Sequence, residues 1–232
     1  MSIPLRERTI GVLGGTGPQG RGLARRFATA GLTVLLGSRD AARAARTAIE
    51  MAADLGLGET GRLCGADNLA VAEASDIVVV AVPWSGHEAT LAEVAPALSG
   101  KIVVDCVNPL AFRRGCVTAA PVPEGSAAQQ AARLLPDASV VGAFHNVSAV
   151  LLADPEVQEV DTDVLVLGDD ADAVMAVQQL AETIPGVRGV LAGSLDNAAQ
   201  VEALTANLIT INRRYSCHSG IRISGLPGAA SG

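Results

Sequence analysis

Aromatic residues are nearly absent: three Phe, one Trp and one Tyr in 232 residues. A core without large rings has to be filled by Ala, Val, Leu and Ile. There is also no Lys/Arg-rich block, and the formal net charge is −7. An acidic chain with so few stacking rings makes a poor nucleic-acid binder. No apolar run approaches the ~20 residues that span a bilayer; the longest, Ile77–Trp84, is strand-sized. The segment Met1–Arg8 is short and charged, with no signal-type apolar stretch behind it, so no export is expected. The four cysteines (Cys64, Cys106, Cys116, Cys217) are scattered and include no CxxC pair. They read as reduced cytoplasmic thiols rather than as a disulfide framework. No His/Cys/Asp spacing marks a metal site, and neither a GxSxG elbow nor a Cys–His cue marks a hydrolase. The class left is a cytoplasmic protein acting on small molecules, with no membrane or nucleic-acid partner. A homodimer is allowed but not required.

What is present is alternation. Thr9–Leu13 reads as a buried strand, Gln19–Ala30 as a helix with Leu23, Phe27 and Ala30 on one face, and Thr33–Leu36 as a second strand. Ser38 and Asp40 can cap a helix from Ala41 to about Leu55, and Gly56–Gly61 is turn-rich. A short strand at Arg62–Gly65 and a helix at Asn68–Ala74 lead to Asp76–Val82, continuously apolar and β-branched. Such runs belong to parallel sheets covered on both faces. A helix over 86–98 and strands at Lys101–Asp105 and Val140–Phe144 follow. The expected fold is α/β, a Rossmann-type doubly wound parallel sheet, because parallel strands need helical crossovers that cover the faces. After residue 145 the rhythm weakens: a strand at Val164–Leu167, a helix from Asp169/Asp170 to Thr183, a strand at Gly189–Ala192, and a helix over Asn197–Tyr215. The expected organisation is a dinucleotide-binding domain over 1–145 and a smaller C-terminal α+β domain over 146–224. The Gly/Ala/Ser-rich tail 225–232 is expected to be disordered.

Gly15-Thr16-Gly17-Pro18-Gln19-Gly20 fits GxGxxG, between a strand and a helix. In that context Gly15 permits the tight turn, and Gly17 lets the backbone approach a pyrophosphate. Gly20 lets the helix lie near the strand, and the helix start offers N–H groups to the anion. Pro18 costs nothing in the first helical turn. After the second strand an NAD site would carry an acid for the ribose 2′-OH. Here stand Ser38 and Arg39, with Arg43 one turn on. A hydroxyl and two guanidinium groups suit a 2′-phosphate, so NADP is the expected dinucleotide.

Gly14–Leu23, the Gly-Ser-Arg39 element, Val82-Pro83-Trp84, Ala143-Phe-His145 and the stretch Asn197–Leu208 leading to Gly220-Ile221 together resemble the NADP-dependent oxidoreductases of the deazaflavin coenzyme F420. The resemblance covers about residues 9–226. Its first three motifs also occur in pyrroline-carboxylate reductases and in the reductase domains of membrane ferric reductases. It implies that Thr16, Gly17, Pro18, Gln19 and Gly20 wrap the pyrophosphate, and that Ser38, Arg39 and Arg43 hold the 2′-phosphate. It implies further that Val82, Pro83 and Trp84 lie against the cofactor, that Asn108, Pro109 and Leu110 border the nicotinamide, and that His145 to Ala149 closes over it. The deazaflavin would stack on the far face of the nicotinamide. The family form His-Thr-Ile-Pro-Ala is here His145-Asn-Val-Ser-Ala149, without the proline.

Hydride transfer between two such rings needs no protein nucleophile, so the protein's task is positioning and water exclusion. No residue is nominated as certainly catalytic. His145, at a strand end, is an accessory proton donor, a hydrogen-bond partner for the deazaflavin, or a structural histidine. Trp84 reads equally as core or as cofactor wall. His87 and His218 read as surface residues. For the deazaflavin's anionic tail the available cations are Arg113-Arg114, Arg213-Arg214 and Arg222. The expected enzyme is an F420H2:NADP oxidoreductase. The alternatives are an NADP-dependent reductase of a small imine or carbonyl compound, which needs a proton donor beside the nicotinamide, and a non-catalytic NADP-binding regulator.

Overall fold

Short apolar runs bounded by Gly, Asp and Pro pair side by side, and their direction decides the architecture. The structure, a computed structural model, describes residues 4–58 and 61–226. Among the described residues ten strands run in chain order: β1 (Thr9–Leu13), β2 (Thr33–Ser38), β3 (Leu63–Asp67), β4 (Ile77–Val80), β5 (Ile102–Asp105), β6 (Leu110–Arg113), β7 (Cys116–Ala119), β8 (Ser139–Gly142), β9 (Thr162–Gly168) and β10 (Val187–Gly193). Eight helices intervene: α1 (Pro18–Thr29), α2 (Ala41–Asp54), α3 (Asn68–Ala74), α4 (His87–Val94), α5 (Ala127–Leu134), α6 (Ala149–Ala153), α7 (Ala171–Glu182) and α8 (Ala198–Tyr215). Eight strands form one sheet in the order β10-β9-β8-β5-β4-β1-β2-β3, parallel throughout except where β9 meets β8. The Rossmann-type doubly wound sheet is therefore present.

Both faces of the sheet are buried, which is why β4 at its centre is apolar at every position. On β4, Ile77 and Val79 face the layer that holds Leu23 and Phe27 of α1 and Val177 and Leu180 of α7. Val78 and Val80 face the opposite layer, with Val71 of α3, Leu91 of α4 and Ala128 of α5. Phe27 and Phe144 are the fully buried aromatic rings of this core, in edge-to-face contact at 5.9 Å.

Several details differ from the sequence reading. β4 stops at Val80, and the helix expected over 86–98 divides into α4 and a 3₁₀ turn over Ala95–Leu98 that carries Pro96. The β6–β7 hairpin and α5 were not anticipated. Arg114-Gly115 closes the hairpin with positive φ at both residues, a turn normally signalled by Asn-Gly. Residues beyond 145 supply β9 and β10, which lengthen the main sheet from its β8 edge. Of the tail expected to be disordered, residues 227–232 lie outside the described residues.

The start of β9 is an ionic anchor. Asp163 is fully buried and accepts two hydrogen bonds from Arg188 of β10 (2.6 Å each), one from Arg222 (2.8 Å) and one from the Ile223 amide (2.7 Å). Arg222 also reaches Asp161 and the Gly186 carbonyl. The chain after α8 is thereby strapped to the sheet. Burial alone would raise the Asp163 carboxyl, but Arg188, the Ile223 amide and Arg222 outweigh it and hold it at about 2. Its stabilisation is present above the ordinary value of 3.8 and is lost as pH falls through the folded value. Asp163→Ala strands the Arg188 guanidinium and removes one of the two acids of Arg222, and should cost about 3–5 kcal/mol in urea denaturation. The wild type should lose stability between roughly pH 4 and pH 2. A variant within 1 kcal/mol of wild type would show the anchor to be dispensable.

Candidate functional site

The carboxyl ends of β1, β2, β4, β5 and β8 lie along one edge, where open α/β sheets bind ligands, and the chain reverses its winding between β1 and β4. The glycine loop leaves β1 here. The turn is made by Gly14, whose φ of +71° is left-handed, and not by Gly15 as the spacing had indicated. Gly15 is instead packed: its missing Cβ would lie 2.7 Å from Leu36 Cδ2 and 2.9 Å from the Val12 carbonyl. The Gly15 amide donates to the Val12 and Gly37 carbonyls, tying the loop to the end of β2. Gly20 packs α1 against the loop, its Cβ position being 2.7 Å from the Gly14 carbonyl. A Cβ on Gly17 meets only the Gly14 carbonyl, at 3.3 Å, so its other sides are open. Helix α1 begins with Gly17 as cap and Pro18 at its first position, and first-turn amides have no intrahelical partner. Together these give a cradle that fits a pyrophosphate.

Beyond β2, Ser38 is buried and its hydroxyl accepts from the Asp40 amide at 3.2 Å. Asp40 caps α2 by accepting from the Arg43 amide at 2.9 Å, which turns its carboxylate to the helix. Arg39 and Arg43 are exposed, and neither pairs with an acid among the described residues. Two uncommitted guanidinium groups beside a hydroxyl suit a phosphate dianion.

The remaining turns are stitched together. Val82 packs against the loop at Gly14, Pro83 is exposed, and Trp84 is half-buried on a 3₁₀ turn. Asn108 donates from Nδ2 to the His145 carbonyl at 3.0 Å, and Thr205 of α8 donates to the same oxygen at 2.9 Å. Asn108 Oδ1 is buried with no hydrogen-bond partner among the described residues. Pro109 is buried and Leu110 opens β6. Gln19 donates to the Phe144 carbonyl at 3.3 Å, and Phe144 adopts a positive φ of +62°. Asn146 donates to the Asp163 carbonyl at 2.7 Å, fastening the segment to β9. Ala149 starts α6, whose end is clamped to α1 by Arg26 bonded to the Leu151, Leu152 and Asp154 carbonyls. The segment from His145 to Ala149 thus passes beside the start of α1, with the 108–110 turn on its other side.

The titratable groups here differ from the sequence reading. His145 is 3% exposed, and neither of its ring nitrogens is hydrogen-bonded. Burial pushes it down to about 4 against the opposing effects of Asp105 and the Val107 backbone, so the ring is neutral near pH 7, while its carbonyl is bound by Asn108 and Thr205. His87, expected at the surface, is fully buried between Asp105 and Gln130; nothing in the local Gly86-His87-Glu88 string signals the burial. Glu202 of α8, also buried, is pushed up to about 7 by burial although it accepts from the Ala127 and Ala128 amides at the start of α5. Arg222 is committed to Asp161 and Asp163, so it is not a spare cation for an anionic ligand. His218 is exposed, as expected, and so are Arg113-Arg114 on the hairpin and Arg213-Arg214 at the end of α8. Among the described residues no cluster of His, Cys, Asp and Glu could hold a metal ion, and no helix is long and apolar enough to cross a membrane.

Comparison with known proteins follows the same line. Residues 9–109 match the family model for coenzyme F420-dependent NADP oxidoreductases. The chain is 40% identical over 223 residues to the F420-dependent NADP reductase of Methanothermobacter marburgensis, covering 94% of this chain and 99% of that protein. The enzyme of the same name from Methanocaldococcus jannaschii is 37% identical, with 94% and 98% covered. A crystal structure from Arthrobacter sp. FB24, of a candidate F420-dependent NADP reductase, superposes with a TM-score of 0.78 at 30% identity over 94% of this chain and 99% of that one. Plasmodium falciparum pyrroline carboxylate reductase with NADP bound shares the fold alone, with a TM-score of 0.58 at 13% identity, 91% of this chain and 68% of that chain being covered. The chain belongs to the F420-dependent NADP reductase family.

The geometry of the loop separates folding from binding. Gly17 has an ordinary φ of −80°, and a Cβ there needs only a small shift of the Gly14 carbonyl, so Gly17→Val should fold with an unchanged circular dichroism spectrum yet bind no NADPH by calorimetry. Normal binding by the folded variant would reduce the loop to a turn.

Proposed function

We propose that the protein transfers a hydride between NADP(H) and coenzyme F420, with the two rings stacked directly against each other at the carboxyl edge of the sheet. Family membership supports the reaction. The observation that carries the reading at this site is the stitching of three separate turns by Asn108, Thr205 and Gln19 beside an uncommitted Ser38–Arg39–Arg43 cluster. Bound there, the nicotinamide and the deazaflavin supply the reacting carbons, so a hydride moves between them and a proton is exchanged at the deazaflavin.

The chain's own residues do the holding. Thr16, Gly17, Pro18, Gln19 and Gly20 would wrap the pyrophosphate, with the start of α1 aimed at its charge. Ser38, Arg39 and Arg43 would bind the 2′-phosphate. Val82, Pro83 and Trp84 would wall one side of the nicotinamide pocket, and Asn108, Pro109 and Leu110 the other. His145 would take part through its carbonyl, with Ala149 beginning the helix that ends the segment. This use of His145 fits its neutral, buried ring. The same burial disfavours an imine or carbonyl reductase: His87 and Asp105 are 0% exposed and His145 3%, so none of them offers a proton to a bound substrate. Four free thiols and the acidic surface fit a cytoplasmic enzyme of small coenzymes with no nucleic-acid partner, working as a monomer or a homodimer.

Mixing the protein with NADPH and oxidised F420 should bleach the deazaflavin absorbance, whereas imines and carbonyl compounds should not turn over. Arg39→Ala should weaken NADPH on the order of 10- to 100-fold, the value of one charge-assisted bond of about 1.5–3 kcal/mol, and leave NADH little changed. Equal losses for both dinucleotides would show that Arg39 does not touch the 2′-phosphate. No bleaching would overturn the reaction.

A further inference from the structure

The least explained feature of the molecule is a fully buried histidine next to its only tryptophan. His87 Nε2 lies 2.6 Å from Asp105 Oδ2, and Nδ1 lies 2.9 Å from Gln130 Oε1. Which atom of Gln130 faces the ring is decided by its other end, where Nε2 donates to Glu124 Oε2 at 3.2 Å. A carboxylate only accepts, so the amide nitrogen must point to Glu124 and the amide oxygen to His87. Arg133 in turn pairs with Glu124 and keeps it ionised. His87 therefore faces an acceptor at each ring nitrogen. A neutral imidazole can donate to only one of them, while an imidazolium donates to both.

The surrounding charges agree with the geometry. Burial and a place at the start of α4 both disfavour a cation. Asp105 from β5, Gln130 from α5 and the more distant Glu202 from α8 outweigh them and raise the affinity of His87 for its proton. Asp105 is shared, since its other oxygen accepts from the Val107 amide at 2.9 Å and so shapes the turn that presents Asn108. On its open side His87 meets Trp84, ring centre to ring centre at 5.4 Å and 37°. A cation at that distance from an indole is attracted to its face.

We infer that His87 is a positioning residue: a buried imidazolium, clamped by Asp105 and Gln130, on which the Trp84 indole is seated at the edge of the coenzyme site. One cation then sets two walls, the indole directly and the 107–109 turn through Asp105. The inference rests on the reading of Trp84 as a coenzyme wall only for its effect on catalysis. The imidazolium itself is a property of the free protein.

The test begins without coenzymes. With ¹⁵N-labelled histidine, and His218→Gln to help assign the three histidines, both His87 ring nitrogens should resonate at the protonated position at pH 7. They should stay there beyond the ordinary value of 6.5. A neutral His87 at pH 7 overturns the inference. An imidazolium quenches an adjacent indole, so emission from Trp84, the sole tryptophan, should rise as pH climbs through the His87 titration. Gln130→Leu, which deletes one acceptor, should move that rise to lower pH; a flat wild-type profile overturns the inference without any variant. His87→Gln keeps a donor for Asp105 but has neither charge nor ring. It should abolish the emission step and lower kcat on the order of tenfold, a larger effect than on NADPH binding, as the stacked rings lose their register. If kcat is unchanged in a folded His87→Gln protein, the positioning role falls. If wild type fails to react NADPH with F420, the reaction proposed above falls, while the ring and indole measurements still decide the imidazolium.

Discussion

Everything at the candidate site depends on strand direction. β1, β2, β4, β5 and β8 all run the same way, so the turns that follow them emerge on one edge whatever their sequence. Parallel strands need crossovers, the crossovers bury both faces, and burial demands the unbroken Val and Ile runs of β4 and β5. The edge inherits rigidity from that core. Residues far apart in the chain, such as Asn108, His145 and Thr205, meet there within hydrogen-bond distance. A reaction that consists of holding two rings in register makes direct use of such an edge.

Besides Arg26 and Glu202, the buried charges gather in two places. At the start of β9, Asp163 gathers Arg188, Arg222 and the Ile223 amide and fixes the chain after α8. At the end of β5, Asp105 gathers His87 and the Val107 amide. Either carboxylate left alone would be costly, and each is matched by a cation and by backbone donors. The two clusters are joined through the segment after β8: Asn146 bonds to the Asp163 carbonyl, and the preceding His145 carbonyl bonds to Asn108 beside Asp105. The segment proposed to close over the nicotinamide is thus anchored at its start, while the Arg26 clamp on α6 holds its far end.

Features governed by neighbours in the chain were readable from the sequence. The strands β1 and β4, the capping of α2 by Asp40 and the glycine loop all follow from local pattern. Features governed by distant partners were not. His87 sits in an unremarkable Gly-His-Glu string, and only Asp105 and Gln130, brought in from β5 and α5, make it a buried group. Arg222 looks like a spare cation until Asp161 and Asp163 claim it across the fold. The shift of the turn from Gly15 to Gly14 has the same origin, because the packing partner of Gly15 is Leu36 on the neighbouring strand. The β6–β7 hairpin was missed because Arg114-Gly115 is a weak turn signal.

The most direct test of a site that works by positioning is to follow the hydrogen itself. NADPH dideuterated at the reacting ring carbon is mixed with oxidised F420 and the protein in ordinary water, and the reduced deazaflavin is weighed by mass spectrometry. Direct transfer between stacked rings predicts one deuterium in every molecule of product. Product carrying only solvent hydrogen would contradict it, and would require a protein or solvent group to stand between the two rings.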